Sequence, residues 1–355
     1  MHKVMIHPAN YASCQEAVNQ AFLHFPIEIE GKSVLIKPNV LRGAAPEQCI
    51  TTHPAVLTAI LEKVKSLNPK SIQVGDNPGM FSYGANEGSF EKTGLLEASG
   101  ELYTNIGGET VEVDFIPGIY EKLNISRAVM EADVIISVPK FKTHGLTMLS
   151  GAIKNSYGII PGAVKAELHA ISGNAMRFNE IIVDVFNIRV PDLFIVDAIV
   201  GMEGNGPAST ELRYIGQVMA SDNAVALDAT IARMMGVDLN VLHFLTTAQA
   251  KGLGHTSENK IEIIGEFKPI NGFKLPPNKI DTAENPQAVV DFFHSRTNMR
   301  PVVDEDRCTA CETCVEQCPV SALKMIDDLP KLDDTVCIAC FCCQEMCPDT
   351  AITLA

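Results

Sequence analysis

The chain has 355 residues, a formal net charge of −15 and no tryptophan; 46% of its residues are hydrophobic and 20% are charged. This composition is typical of a soluble globular protein with a substantial core. A strongly negative surface repels phosphate backbones and anionic lipid, which excludes nucleic acid or a bilayer as the main partner. The apolar runs fall short of the ~20 residues that a membrane span needs, and the N-terminus lacks a secretory pattern. We therefore expect a cytoplasmic protein with no membrane span.

The first part of the chain alternates between strand-like and helical patterns. Ser33–Val40 predicts a strand. Thr51–Pro54 predicts a helix start, with a threonine N-cap just ahead of a proline in the first turn. Apolar residues recur behind it at helical spacing, at Val56, Ile60, Leu61 and Val64. Lys70–Gly75 then returns to a strand.

The same alternation continues further along the chain. Val134–Val138 predicts a buried strand, which the segment Lys140–His144 leaves, and Leu193–Val200 predicts another. Ala224–Met235 predicts an amphipathic helix that ends at Gly236. Strands alternating with helices favour a mostly parallel α/β sheet, in which ligands bind at the carboxyl ends of the strands.

Changes in composition suggest three parts. We predict a large α/β domain over 1–270 and a connector over 271–300, followed by a small α+β domain over 301–355. The connector contains Pro276, Pro277 and Pro286 and a short helical pattern around Val289–Phe293. After Pro301 the chain becomes rich in cysteine, proline and acidic residues.

The small domain contains a duplicated cysteine motif. The chain has eleven cysteines, nine of them between Cys308 and Cys347, and the spacing C-x2-C-x2-C-x3-C-P occurs twice, offset by 29 residues. Such crowding in a protein expected to be cytoplasmic indicates metal ligation rather than disulfides. Zinc, the main alternative metal, usually takes four ligands in two pairs, so two full runs favour iron–sulfur clusters.

The spacing also suggests which cysteines share a cluster. Three thiolates at x2 intervals can hold three irons of a cubane, and the fourth cysteine reaches the other cluster. We therefore predict two 4Fe–4S clusters, the first held by Cys308, Cys311, Cys314 and Cys347, the second by Cys337, Cys340, Cys343 and Cys318. Cys342, whose counterpart in the repeat is Thr313, is interpreted as a small buried thiol rather than a ligand.

Residues 308–355 resemble the bacterial two-cluster ferredoxins. The resemblance implies low-potential, one-electron transfer through two neighbouring clusters. Because each cluster would take ligands from both halves of the repeat, metal binding is expected to be part of folding.

Polar residues gather after the predicted strands of the large domain: Lys37, Asn39, Asp76, Lys140, Lys142, His144, Lys154 and Asn155. In an acidic protein, lysines at strand ends suit a carboxylate or phosphate, and His144 or Asp76 would exchange protons with a substrate. Each residue alone has a structural alternative: a solvated lysine, a loop histidine, or an aspartate that caps a turn. Walker A, G-x-S-x-G and H-E-x-x-H motifs do not occur.

The large domain also resembles domain-of-unknown-function family 362, which is often fused to a C-terminal ferredoxin. The segments that carry the resemblance are Lys37-Pro38-Asn39, Thr52-His53-Pro54, Gly75-Asp76, Val138–His144, Gly151…Lys154-Asn155 and Asp222…Ala226…Asp228. It spans most of residues 1–265. It implies an iron–sulfur protein of mainly anaerobic bacteria and archaea, and implies no particular activity.

The leading hypothesis is a ferredoxin-dependent oxidoreductase. The small domain would exchange electrons with a soluble donor or acceptor protein and pass them to a small anionic substrate in the α/β domain. Fusion of the two domains keeps the clusters at high effective concentration beside the substrate site. Two alternatives stay open: a non-catalytic electron carrier whose α/β domain is a docking module, and a redox-sensing binding protein.

Overall fold

The computed structural model describes residues 1–79, 84–276 and 298–355. Of the predicted connector, Pro277, Pro286 and the helical pattern around Val289–Phe293 lie outside the described residues. Within the described part of the chain, no helix has the length and apolar composition that crossing a bilayer requires.

A nine-stranded mixed sheet organises the large region. Its strands are β1 His2–Pro8, β2 Ser33–Pro38, β3 Ser71–Val74, β6 Val134–Val138, β7 Lys140–His144, β8 Met148–Leu149, β9 Leu193–Met202, β10 Leu212–Ser221 and β11 Ile261–Gly265. Seven of them lie in the order β11-β1-β10-β9-β6-β2-β3, while β7 pairs with β9 and β8 pairs with β7. Most of the pairings are parallel, while β10 runs antiparallel to both of its neighbours. A separate hairpin is formed by β4 Thr110–Ile116 and β5 Tyr120–Ser126.

Helices cover both faces of this sheet. Alternation along β2 sends Val34 and Ile36 into one apolar core and Leu35 into the other. The α-helices are Gln15–His24, Pro54–Lys65, Ala85–Lys92, Leu95–Ser99, Arg127–Glu131, Gly151–Asn155, Gly162–Ser172, Ala175–Ile188, Ala224–Met235 and His243–Ala250. Short 3₁₀ helices span Pro46–Gln48, Gly100–Leu102, Ser156–Ile159, Leu239–Val241 and Glu258–Lys260. The predicted α/β class with a mostly parallel sheet is confirmed.

The helix start near residue 54 is correct in place and wrong in its cap. The helix begins at Pro54, but the N-cap is His53, whose Nδ1 accepts the Ala55 N–H at 3.1 Å. Thr52 instead holds two strand ends together: its hydroxyl donates to Val138 O at 2.6 Å and accepts from Asn39 N–H at 2.8 Å. The Thr52 side chain therefore links the carboxyl ends of two strands and does not cap the helix.

The segment after Val138 is a strand rather than a loop. β6 pairs with only the first residues of β9, and beyond Pro139 the chain continues along β9 as β7. Because β9 is ten residues long, it offers unpaired backbone beyond the end of β6. Lys140 and Lys142 therefore lie inside the sheet.

The small region is an α+β unit. β12 Pro301–Val303 pairs with β15 Ile352–Leu354, and β13 Leu323–Ile326 pairs with β14 Leu329–Leu332. Its two short helices are Thr313–Glu316 and Cys342–Met346. Its own core consists of Cys314, Leu323, Cys343, Cys347, Ala351 and Ile352. Ala339, Phe341 and Leu354 join the core of the large region instead, so the two regions pack together.

Candidate functional site

The eight predicted ligand cysteines line two cavities in groups of four. The first cysteine cavity is lined by Cys308, Cys311, Cys314 and Cys347, and the second by Cys318, Cys337, Cys340 and Cys343. Each group combines three cysteines of one motif with the fourth of the other. Within the described residues, no three His, Cys, Asp or Glu side chains converge closely enough to hold one metal ion. The thiols surround a space rather than a point.

The backbone of the two motifs is duplicated along with their sequence. Ala310 and Glu312 have φ of 55° and 61°, and their counterparts Ala339 and Phe341 have φ of 53° and 64°. Left-handed residues curl each loop around its cavity. The fourth cysteine of each motif accepts a backbone hydrogen bond at 3.2 Å, from Ala322 N–H to Cys318 Sγ and from Ala351 N–H to Cys347 Sγ. N–H donors stabilise a thiolate, so the donor set and the backbone fit 4Fe–4S ligation.

A third cavity, of about 70 Å³, lies where the two regions meet, and we name it the interdomain cavity. The large region contributes the carboxyl ends of β2 and β3 and the helices after β8. Its polar lining residues are Asn39, Asp76, Asn77, Lys154, Asn155, Tyr157, Lys165 and His169. The small region contributes Gln317, Cys342, Glu345 and Met346. Because Cys342 lies between Cys340 and Cys343, the second cysteine motif is part of the cavity wall.

An ion pair fixes the floor of the interdomain cavity. Lys37 Nζ lies 2.7 Å from Asp76 Oδ1, and both side chains are buried. Asp76 also accepts the backbone N–H groups of Val40 and Asn77, at 2.8 and 2.9 Å. Gly158 is required here, since a Cβ on it would lie 1.9 Å from Asp76 Oδ1. Burial lowers the pKa of Lys37, and the neighbouring Asp76 carboxylate opposes that shift.

The predicted lysines fall into two groups. Lys140 is buried in an ion pair with Asp197 at 2.8 Å and also donates to the Tyr11 hydroxyl at 3.0 Å. Lys142 donates to Ile50 O at 2.6 Å, and burial lowers its pKa to about 7. Neither lysine lines the interdomain cavity, and Lys37 is already paired with Asp76.

Lys154 is the predicted lysine that lines the interdomain cavity. It lies over the rings of Tyr157 and Phe178, 4.7 and 5.6 Å from their centroids. Among the described residues, no carboxylate or carbonyl accepts a hydrogen bond from it. The predicted amides Asn39 and Asn155 lie beside it, with Asn39 Nδ2 donating to Asn155 Oδ1 at 3.1 Å.

His144 does not line the interdomain cavity. Its Nδ1 accepts the Leu146 N–H at 3.1 Å, and its Nε2 lies 3.3 Å from Glu345 Oε1. Glu345 does line the cavity. Burial raises the pKa of Glu345, and three nearby lysines, Lys154, Lys142 and Lys165, act in the opposite direction.

Several lining residues have no signal in a single sequence. Lys165 donates to the carbonyls of Asn77 and Pro78, and burial lowers its pKa to about 7. His169 stacks on Phe178 with centroids 4.3 Å apart. Burial, then the charges of Lys154 and Lys165, lower the pKa of His169 to about 3. Its place in a cavity wall emerges only from the fold.

Direct contacts join the two regions around the interdomain cavity. Arg42 Nε donates to Glu345 O at 3.2 Å, and Gln344 Nε2 donates to Asn205 O at 2.9 Å. Phe341 is only 2% exposed and packs against Gly145, where a Cβ would lie 3.1 Å from the phenylalanine ring. The second motif is therefore docked onto the large region.

The cysteine motif and the comparison with known families define the class of this protein. Residues 301–324 match the 4Fe-4S binding domain family, which covers the first cysteine motif. The chain is thus an iron–sulfur protein with a ferredoxin-type 4Fe–4S domain, a module whose chemistry is electron transfer.

The large region defines the family. Residues 34–233 match the domain of unknown function DUF362, more than half of the chain, and the chain belongs to that family. It is 32% identical over 231 residues to a thylakoid-associated protein of Synechocystis sp., covering 64% of this chain and 70% of that protein.

Two solved structures are similar at low identity. The lactate racemase apoprotein from Thermoanaerobacterium thermosaccharolyticum gives a TM-score of 0.43 at 13% identity, over 63% of this chain and 55% of that chain. A structural genomics protein from Thermotoga maritima gives a TM-score of 0.39 at 12% identity, over 58% of this chain and 54% of that chain. This chain thus spans about half the length of each.

Proposed function

We propose that the protein is a ferredoxin-dependent oxidoreductase. Two 4Fe–4S clusters would pass low-potential electrons from a soluble donor protein to a small anionic substrate in the interdomain cavity. The observation that carries the proposal is the shared wall of this cavity, since Lys154 comes from the α/β region and Cys342 from the second cysteine motif. A molecule bound there would lie directly beside the electron-transfer module.

The arrangement of the cysteines supports two clusters rather than one. Each cysteine cavity is lined by four thiols, three from one motif and one from the other, as the duplicated spacing predicts. Thiols spread around a space suit a cubane better than a single zinc ion, which needs four ligands within about 2.3 Å of one point. When bound, each cluster supplies or accepts one electron at a time.

The chain's own residues would bind and orient the substrate. Of the four predicted lysines, Lys154 is the one available to an anionic group, because Lys37, Lys140 and Lys142 are buried against partners of their own. Lys165 also lines the cavity but donates to two backbone carbonyls. Asn39 and Asn155 would orient the ligand beside it. Of the two predicted proton-transfer residues, Asp76 lines the cavity, while His144 contacts Glu345 instead.

The concave polar cavity supports this proposal over the electron-carrier alternative. A carrier whose α/β region only docks a partner needs an exposed apolar surface and has no use for a buried lysine in a cleft. The thylakoid association in the name of the Synechocystis relative does not separate the alternatives.

Reoxidation of the reduced clusters tests the proposal. Anaerobically prepared protein is reduced, small carboxylates that carry a reducible group, such as 2-oxo and 2,3-unsaturated acids, are added one at a time, and the visible absorbance of the clusters is followed. We expect one of these anions to reoxidise the wild-type protein. Lys154→Met should slow that reaction by about tenfold or more, since a charge-assisted hydrogen bond is lost.

The matched control is Lys122→Met, an exposed lysine of the β4–β5 hairpin, which should react like the wild type. Both variants should keep the wild-type cluster spectrum. Reoxidation of Lys154→Met at the wild-type rate overturns the assignment of the site. A wild-type protein that no anion reoxidises, yet that exchanges electrons with a ferredoxin partner, favours the carrier.

A further inference from the structure

The interdomain cavity presents hydrogen-bond acceptors that lack partners. Asn39 Oδ1, Gln317 Oε1 and His169 Nδ1 are all buried and make no hydrogen bond within the described part of the chain. Gln317 is 3% exposed and His169 is 5% exposed, and all three residues line the cavity. Buried polar atoms are normally hydrogen-bonded, so these three atoms suit a bound molecule that carries a hydrogen-bond donor.

The orientation of the Asn39 amide is set by its surroundings. Its nitrogen donates to Asn155 Oδ1 at 3.1 Å, and the nitrogen of Asn155 donates in turn to Ser137 Oγ at 2.9 Å. The Asn39 oxygen is therefore the end of the amide that is left without a hydrogen bond. An oxygen acceptor needs a hydrogen-bond donor, and a hydroxyl or amino group on a ligand supplies one.

Gln317 gives the small region a part in recognising the ligand. It lies immediately before Cys318, and its counterpart 29 residues later is Met346, which also lines the cavity. The same position of both motifs thus contributes to the cavity wall, once as a polar residue and once as an apolar residue. A ligand with a polar and an apolar side would match that pair.

We propose that the interdomain cavity binds a small carboxylate that also bears a hydroxyl or amino group, the two-electron-reduced form of an oxo or imino acid substrate, with Lys154 binding the carboxylate and Gln317, Asn39 and His169 accepting hydrogen bonds from the donor group. This inference rests on the proposed function. A simple anion such as acetate would leave the three acceptors unsatisfied, whereas a hydroxyl or ammonium group satisfies them.

The size of the cavity limits the ligand. At roughly 10–15 Å³ per water-sized position, about 70 Å³ holds on the order of five to seven non-hydrogen atoms. Four-carbon acids are therefore the right probes. Butanoate has the carboxylate and no donor, and 2- and 3-hydroxybutanoate and 2- and 3-aminobutanoate add one donor group to it.

Calorimetric titration of the anaerobic holoprotein with these five acids tests the inference. We expect at least one hydroxy or amino acid to bind about tenfold or more tightly than butanoate. Gln317→Leu should reduce this preference to within about twofold while leaving the affinity for butanoate unchanged. His169→Phe, which keeps a ring stacked on Phe178 and lies on the α/β side of the cavity, should reduce the preference in the same direction.

Gln217→Leu is the matched control, because Gln217 on β10 also has an unpartnered buried oxygen and does not line the cavity. It should keep the wild-type preference. If all five acids bind equally and Lys154→Met weakens all of them, the donor inference is wrong and the anion site stands. If no acid binds in a Lys154-dependent way, the proposed function fails together with it.

Discussion

The two cysteine motifs are copies of one sequence in two different environments. Glu312 and Glu316 of the first motif are exposed. Their counterparts in the second are Phe341, which is 2% exposed, and Glu345, which is 6% exposed. The same backbone and the same cysteine spacing are therefore directed to solvent in one copy and to the α/β region in the other.

This difference makes the two ends of the duplicated module unequal: one faces solvent and the other faces the interdomain cavity. Cys311 of the first motif is exposed, which makes this half accessible to another protein. Cys342 of the second motif replaces Thr313 and lines the interdomain cavity. Under the proposed function, a donor protein would dock at the first motif and the substrate would bind beside the second.

Removing cysteines in pairs should have the largest effect, because it removes the ligands that hold iron. It also tests whether each motif holds its own cluster or shares ligands with the other motif. Cys311 and Cys347 belong to different motifs and line the same cavity. Cys311→Ala/Cys347→Ala should lose about half of the bound iron, since only one cluster loses ligands. Cys311→Ala/Cys318→Ala should lose nearly all of it, although both cysteines belong to the first motif.

Iron content per chain and electron paramagnetic resonance of the reduced protein measure this outcome. The control is Cys342→Ala, which should keep all of the iron. If the pair from one motif loses only half of the iron and the pair across motifs loses all of it, each motif holds its own cluster and the crossed arrangement is wrong.

The next largest effect is on stability, where truncating Phe341 of the second motif should cost more than truncating its counterpart in the first. The ring is buried in the core of the large region, whereas its counterpart Glu312 is exposed. Phe341→Ala should lower the free energy of unfolding by about 3 kcal/mol, as expected for loss of a buried phenylalanine, while Glu312→Ala should change it by less than about 0.5 kcal/mol. Anaerobic denaturant unfolding provides the measurement. Equal effects of the two substitutions would mean that the second motif is not docked in solution.

The cavity beside the second motif also predicts a pH dependence. Burial lowers the pKa of Lys165 to about 7, so between pH 7 and the ordinary lysine pKa the unfolded chain binds more protons than the folded one. Stability should therefore rise with pH over this interval, and Lys165 contributes up to about 1.4 kcal/mol per pH unit. Lys165→Met should make the rise shallower, and the exposed Lys122→Met should leave it unchanged. A variant slope equal to that of the wild type would mean that Lys165 is solvated.

Local sequence patterns predicted the fold class and several of its strands and helices. Strand and helix periodicity located Val134–Val138 and Ala224–Met235 with the bounds that the structure has. The pattern was misleading at Lys140–His144, because alternating lysines suggest a solvent-facing loop. What buries them is pairing along β9, more than 50 residues away, with Asp197 supplying the counter-charge. Such a contact leaves no local trace.

The candidate site divides in the same way. Asn39, Asp76, Lys154 and Asn155 were predicted from their positions after strands, and all four line the interdomain cavity. Gln317 and Glu345 were missed because they lie inside the cysteine motifs, where the spacing of the ligands accounts for the pattern. Docking of the second motif brings them to the cavity. A polar residue that differs between two copies of a repeat, as Gln317 differs from Met346, is the signal that was present.

The smallest effect that we predict is on the reduction potentials. Lys154 lies in the same cavity wall as Cys342, so its positive charge should stabilise the extra electron on a cluster held by the second cysteine cavity. Lys154→Met should lower that potential by on the order of tens of millivolts, as a partly screened charge at this range would.

The matched substitution lies on the first half of the module. Lys331 is an exposed lysine of β14, 3.9 Å from Glu305, where water and salt screen its charge. Lys331→Met should therefore shift neither potential measurably in a redox titration followed by paramagnetic resonance. If Lys154→Met shifts both potentials equally, the charge of Lys154 acts on both clusters alike. The cluster of the second cysteine cavity is then not the one nearer to the interdomain cavity. A shift confined to one cluster would instead identify the half of the module that faces the substrate.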